Sequence, residues 1–156
     1  MKNGFTIIEF LIYIVILVMA ITSINLISIN IFHASARTNT IQEVAHNGRF
    51  VMHKIKEEIK NSTSIVYPET EGEELRLLSN DSLVVFKVSE NEKRLVVEKN
   101  NISIYLTTSK VKIDSVRFKI ISNDSIKVEI KISHKNDQNL PEQEFENLFI
   151  SSFVLN

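Results

Sequence analysis

The sequence predicts an α+β protein in which one long N-terminal helix packs on an antiparallel β-sheet head. Three observations support this fold class. Residues 10–36 contain no Asp, Glu, Lys or Arg. Apolar residues between Ile41 and Ile59 recur at spacings of three and four, as on one face of a helix. Beyond Asn61 the apolar period changes to two, with turn residues between short runs, which is typical of strands.

The composition excludes several classes of protein. Hydrophobic residues make up 44% and charged residues 24% of the 156 residues, which fits one ordinary globular domain and excludes wholesale disorder. Cysteine is absent, so the chain has neither disulfides nor thiolate metal ligands. The 18 Lys and Arg residues nearly balance 19 Asp and Glu residues. This net charge of -1 produces no overall field that attracts nucleic acid.

The apolar stretch at residues 10–32 predicts a transmembrane helix. Its 23 residues span roughly 34 Å at about 1.5 Å per residue, which exceeds a hydrocarbon core of about 30 Å. The stretch ends without the small residues of an ordinary signal-peptide cleavage site, so we expect it to be retained. Lys2 and Arg37 are the flanking basic residues, and we expect the N-terminus to lie in the cytoplasm.

Glu9 is an acid at the entrance to this apolar run. An ionised carboxylate in or near hydrocarbon costs several kcal/mol unless it finds a partner. Alternatively, Glu9 lies at headgroup level or near a helix N-terminus, where a negative charge is favourable by about 0.3–1 kcal/mol. Physical reasoning alone leaves both interpretations open.

The residues around Glu9 form a longer pattern, KNGFTIIE at residues 2–9, directly before the spanning helix. This pattern resembles the class III signal of type IV pilins and pseudopilins. The resemblance implies a leader peptide at residues 1–4, which prepilin peptidase removes by cutting between Gly4 and Phe5. The same enzyme would then methylate the new amino group of Phe5. Glu9 would pair with the N-terminal amine of a neighbouring subunit during assembly.

The resemblance also implies partners and a location. The partners would be prepilin peptidase, other pilins or pseudopilins, the assembly platform and the lipid of the cytoplasmic membrane. The chain would cross that membrane once, with the head outside, and enter an extracytoplasmic filament. The apolar helix lacks the mid-helix proline of many major pilins, and no cysteine bounds a C-terminal loop. These differences fit a minor pilin or pseudopilin better than a major one. The order of elements and the length are most similar to those of a J-type minor pseudopilin or a PilW-like minor pilin.

The long helix is predicted to run from about Thr6 to about Lys60. Its transmembrane half covers residues 5–32, its amphipathic half covers 33–61, and the β-rich head covers 62–156. Gly48 lies within the amphipathic half and costs about 1 kcal/mol relative to alanine. It marks either a close approach of helix and sheet or a tolerated glycine.

Eight strands are predicted in the head, with a hairpin turn at residues 122–125 and further turns at 90–93 and 99–101. The apolar phase shifts by one residue at Asp114 and Ser115, which predicts a bulge or a strand break there. The predicted strands are 63–67, 75–78, 83–88, 94–98, 102–107, 111–121, 125–133 and 145–155.

Candidate chemistry in the head is sparse. An acidic loop contains glutamates that suit Ca²⁺ by ligand type, but it lacks the alternating pattern of an EF-hand, and such loops are usually solvated. We predict no cofactor and no metal. Motifs of serine hydrolases, zinc proteases and P-loop enzymes are absent from the sequence, so we predict no catalytic residues and no enzyme. The glutamates of the loop are Glu69, Glu71, Glu73 and Glu74.

Three classes of function follow. The preferred class is a structural subunit of a type IV pilus-like filament that serves type II secretion, competence and DNA uptake, adhesion or motility. The second is a binding module at a filament tip, in which loop 136–144 or a basic sheet face contacts DNA, a surface or an exported substrate. The third, a membrane-anchored enzyme or regulator, predicts no processing at Gly4. The basic face comprises Lys112, Arg117, Lys119, Lys127 and Lys131.

Overall fold

Helix α1 spans Ile7–Lys60, which confirms the predicted long helix. The computed structural model of the chain describes residues 6–79, 82–122 and 124–155. The chain divides into two compact units, with the boundary between Thr38 and Asn39. The described part of the first unit is helical from Ile7 onwards, and the second contains the rest of α1 and the strands.

Nine strands follow α1 within the described ranges, and all of their pairings are antiparallel. Eight of them match the predicted strands to within one or two residues at most ends, whereas β2 was not predicted. The strands are β1 (Ser64–Tyr67), β2 (Glu71–Gly72), β3 (Leu75–Ser79), β4 (Ser82–Val88), β5 (Leu95–Lys99), β6 (Ile102–Tyr105), β7 (Val111–Ser122), β8 (Ser125–His134) and β9 (Glu146–Val154).

The strands form two sheets. The first has the order β1-β3-β4-β5-β6, and the second has the order β2-β7-β8-β9. Strand β2 lies between β1 and β3 in the sequence but pairs with β7, so the chain crosses to the second sheet and back within this segment. The alternation of apolar residues identifies which face of a strand is buried, but it does not specify which sheet the strand joins.

One hydrophobic core fills the second unit. The buried face of α1 and the inward-facing residues of both sheets belong to a single cluster, which confirms the α+β class. At Gly48 the helix comes close to β9, because a Cβ atom there would lie 2.1 Å from Cζ of Phe149. The glycine therefore marks a close approach. The helix contributes Val44, Val51, Ile55 and Ile59 to the cluster.

Strand β7 continues through the predicted irregularity as a bulge. Ile113 pairs with Ile132 and Ser115 pairs with Lys131, so Asp114 is an extra residue on β7. The bulge keeps the apolar residues on both of its sides facing the core. These residues are Val111, Ile113, Val116 and Phe118.

The hairpin between β5 and β6 closes through the predicted turn. Lys99 pairs with Ile102, which leaves Asn100 and Asn101 as a two-residue loop. Their φ angles are 53° and 62°, and two left-handed residues in succession define the turn that fits the twist of a hairpin. Asparagine adopts this conformation more readily than most residues because its short side chain bonds locally.

Candidate membrane-spanning and assembly segment

The first part of α1 exposes apolar side chains on all sides. Each large apolar residue from Ile7 to Phe32 is at least 41% exposed. A helix of a soluble protein normally buries its apolar residues along one stripe, and this segment has no such stripe. Among the described residues, α1 is the one helix that is long and apolar enough to cross a membrane. An apolar surface of this kind is typical of a helix that is surrounded by lipid or by other helices.

Thr6 caps the N-terminus of α1. Its hydroxyl oxygen accepts a hydrogen bond from the Glu9 N–H at 3.3 Å, and its carbonyl accepts one from the Phe10 N–H at 3.2 Å. The first bond satisfies one of the backbone donors that a helix start otherwise leaves unpaired, and the second is the first regular hydrogen bond of the helix. This role was not among those predicted from the sequence. The spacing Thr6-x-x-Glu9 is that of a capping box, and this signal was sufficient to find it.

Glu9 is the third residue of α1 and is exposed. A carboxylate in the first turn interacts favourably with the partial positive charge of the helix N-terminus. The other two predicted site residues, Gly4 and Phe5, lie outside the described residues. Of the three predicted site residues, the structure therefore describes Glu9, which lies where the helix N-terminus favours a negative charge.

The serine and threonine hydroxyls in the apolar segment are bonded within the helix. Thr22 Oγ1 donates to the Val18 carbonyl at 3.0 Å, and Ser23 Oγ donates to the Met19 carbonyl at 2.8 Å. Ser28 Oγ donates to the Ile24 carbonyl at 2.9 Å. A hydroxyl that bonds the preceding turn is compatible with hydrocarbon, because no donor is left without an acceptor.

A polar cluster in the second unit joins α1 to the loop between β6 and β7. The Thr108 N–H donates to Asn47 Oδ1 at 2.8 Å, and the Thr108 hydroxyl donates to Glu43 Oε1 at 2.8 Å. This hydroxyl bond is the main cause that lowers the pKa of Glu43, and Asn47 and Lys110 contribute in the same direction. Asn47 is only 2% exposed, so its bonds replace those it would make to water.

A cavity of 610 Å³ lies beside the end of β8 and loop 136–144, the loop of the second class of function. Ser133 and His134 line it, together with Asn136 and Glu144 of the loop. Ser133 Oγ and His134 Nδ1 are shielded from solvent and have no hydrogen-bond partner in the described part of the chain. Such atoms are rare in folded proteins and need a specific explanation.

The basic sheet face carries its own counterions. Four of its five cations lie within 4 Å of a carboxylate, which reduces the free positive charge available to a polyanion. The hydrogen bond from Lys127 is the main cause that lowers the pKa of Glu129, and Lys119 on the neighbouring strand contributes in the same direction. The pairs are Lys112 with Asp114 (3.7 Å), Arg117 with Glu71 (3.1 Å), Lys127 with Glu129 (2.7 Å) and Lys131 with Glu146 (2.9 Å).

The acidic loop is partly ordered by arginines. Glu71 lies in β2 and pairs with Arg117, and Glu74 Oε1 lies 3.1 Å from Arg76 Nε. No group of three or more His, Asp or Glu residues that suits a metal ion occurs in residues 6–79, 82–122 and 124–155. Two of the four loop carboxylates thus already have cationic partners.

Comparison with protein-family models, curated proteins and solved structures found no match to this chain. Its function must therefore be argued from its own residues and their geometry.

Proposed function

We propose that this chain is a minor pilin or pseudopilin, a structural subunit of a type IV pilus-like filament. The observation that carries the proposal is the apolar segment of α1 at residues 10–32, which is exposed on all sides and directly follows the KNGFTIIE pattern. The same helix continues to Lys60, and its second half packs on antiparallel sheets. This order of elements suits a subunit that is held in the membrane and then assembled by helix packing.

The proposed route begins in the cytoplasmic membrane, with the N-terminus inside and the head outside. Prepilin peptidase cuts between Gly4 and Phe5 and methylates the amine of Phe5. The chain then assembles with other pilins or pseudopilins on the assembly platform. Within a bundle of apolar helices, the Glu9 carboxylate needs a cationic partner, and the amine created by cleavage on a neighbouring subunit supplies it.

The processing step is tested by the mass of the membrane-extracted chain, with and without co-expressed prepilin peptidase. We expect the peptidase to produce a chain that begins at Phe5 and carries the added mass of one methyl group. A Gly4→Val variant, which places a bulky side chain at the cleavage site, should keep residues 1–4. If the unaltered chain also keeps them, the pilin proposal fails and a membrane-anchored β-rich domain is the better account.

The assembly step is tested at Glu9. Glu9→Val should be processed normally but enter filaments less efficiently, because the neighbour's amine loses its counterion. Glu9→Gln should have the same effect, since it removes the charge and keeps the size of the side chain. Filament incorporation is measured by cross-linking of purified filaments. Incorporation of both variants at the unaltered level would count against the pairing role.

A second candidate function is ligand binding at the cavity beside β8. The two unsatisfied polar atoms, Ser133 Oγ and His134 Nδ1, favour it, because a ligand or water that reached them would supply their missing bonds. Ser133→Ala tests this interpretation through the free energy of unfolding. We expect no loss of stability without a ligand, since the hydroxyl has no bond to lose. A loss of about 1 kcal/mol or more would show that the hydroxyl is already satisfied.

A further inference from the structure

Two asparagines, Asn25 and Asn30, lie in the apolar segment, and both are exposed. Their side-chain amides form no hydrogen bond to any described residue, unlike the hydroxyls of Thr22, Ser23 and Ser28. A carboxamide carries two donor hydrogens and an acceptor oxygen. In hydrocarbon no water satisfies these groups, so an amide there needs a partner from another molecule.

The two amides differ in depth once the helix spans a membrane. Measured from the middle of residues 10–32 at about 1.5 Å per residue, Asn25 lies about 6 Å from the centre and Asn30 about 13 Å. A hydrocarbon core about 30 Å thick ends about 15 Å from its centre, so interfacial water reaches Asn30. Asn25 is the amide that lies well inside the hydrocarbon.

We propose that Asn25 is the contact through which the apolar helices of two copies of this chain associate. The inference rests on the membrane placement in the proposed function. Two copies that insert in the membrane in the same direction carry Asn25 at the same depth, so before filament assembly the side chains meet without any shift of the helices. Because the amide is both donor and acceptor, a symmetric pair forms two N–H···O=C bonds and satisfies both copies.

The side chains around Asn25 suit a close helix pair. Thr22 and Ser28 lie three residues before and after it on the same side of the helix, and both are small. Small residues allow helix backbones to approach in a membrane. Their hydroxyls already bond the carbonyls of their own helix, so they bring no unsatisfied donor into the contact. Exposed Ile21 and Ile29 flank Asn25 at four residues and complete the apolar contact.

The experiment measures self-association of the full chain in phosphatidylcholine vesicles, by energy transfer between donor-labelled and acceptor-labelled copies. Asn25→Leu should weaken association about 3- to 15-fold, the range found for hydrogen bonds between membrane helices. Asn30→Leu is the matched control, because it makes the same chemical change near the interface, and it should change association less than about 2-fold. Thr22→Val should also have little effect.

Three results would overturn the proposal: no self-association of the unaltered chain, no effect of Asn25→Leu, or an equal effect of Asn30→Leu. If Asn25 pairs only with the helix of a different protein, the unaltered chain shows no self-association, which is the first of these results. The N-terminal mass separates this proposal from the pilin proposal. A chain that is cut at Phe5 but does not depend on Asn25 overturns only the pairing. A chain that is not cut but depends on Asn25 overturns only the pilin function.

Discussion

At the scale of single residues, polar side chains position α1 within the second unit. Glu43 and Asn47 extend from the helix and bond Thr108, which belongs to the loop after β6. The loop precedes β7, so these bonds fix the helix relative to the start of the second sheet. One of the bonds involves a carboxylate, and its strength therefore depends on pH.

Thr108→Val should lower the free energy of unfolding by about 1–2 kcal/mol at pH 7, because it removes the hydroxyl that donates to Glu43. A lowered carboxyl pKa in the folded state adds stability above the unfolded value of about 4.3, and this stability is lost as pH falls through the folded pKa. The difference between variant and unaltered chain should therefore shrink at pH 3. Urea unfolding at both pH values measures it. Thr108→Ser, which keeps the hydroxyl, is the control, and an equal loss at both pH values would indicate a packing defect instead.

Gly48→Ala should destabilise the protein by about 1–3 kcal/mol, although alanine is the better helix former. The added Cβ would lie 2.1 Å from the Phe149 ring, so the ring or the helix must move. Combining the substitution with Phe149→Leu should recover part of the loss, and a double-mutant cycle of unfolding free energies measures this coupling. A Gly48→Ala protein that is more stable than the parent would contradict the close approach.

At the scale of elements, the bulge in β7 allows one strand to bury its apolar residues on both sides of a one-residue shift in their alternation. Ile113 and Val116 are three residues apart, yet both are buried, because Asp114 takes up the extra position. Without Asp114 the segment reads V-K-I-S-V-R-F, a regular alternation that a flat strand accommodates. The bulge is therefore a local irregularity that the rest of the register does not require.

Deletion of Asp114 should leave the head folded and cost less than about 1.5 kcal/mol, because every apolar residue of β7 keeps its face. Deletion of Arg117 is the matched control. It makes Val116 and Phe118 adjacent, so the apolar residues on one side of the deletion turn away from the core. This deletion should cost at least about 3 kcal/mol. Thermal unfolding followed by circular dichroism compares the two. If both deletions unfold the head, the bulge itself is needed for folding.

At the scale of the whole molecule, the apolar residues serve two different surroundings. The buried core residues all lie at or beyond Val44, in the second unit. The apolar residues of the first unit are exposed instead, and we propose lipid and neighbouring helices as their surroundings. The stability of the second unit should therefore not depend on residues 1–38.

A fragment of residues 39–156 should be monomeric in water and unfold cooperatively in urea, because it retains the complete core. Its unfolding midpoint should match that of the head in the full chain held in detergent micelles. Sedimentation and circular dichroism provide the measurements. A fragment that lacks a cooperative transition would show that the first part of α1 is needed to stabilise the head.

Features that depend on near neighbours in the chain could be predicted from the sequence. The extent of α1, the change to strand periodicity, the Asn100-Asn101 turn and the irregularity at Asp114 all follow from side chains a few residues apart. The prediction for Glu9 also came from a local pattern, and its role in assembly stays a prediction.

Features that depend on distant parts of the chain could not be predicted from the sequence and are seen in the folded structure. The pairing of β2 with β7, the division into two sheets, the contact of Gly48 with Phe149 and the bonds from Asn47 to Thr108 join segments far apart in sequence. Periodicity identifies the buried face of each element, but the partner of that face is chosen by the packing of all elements together.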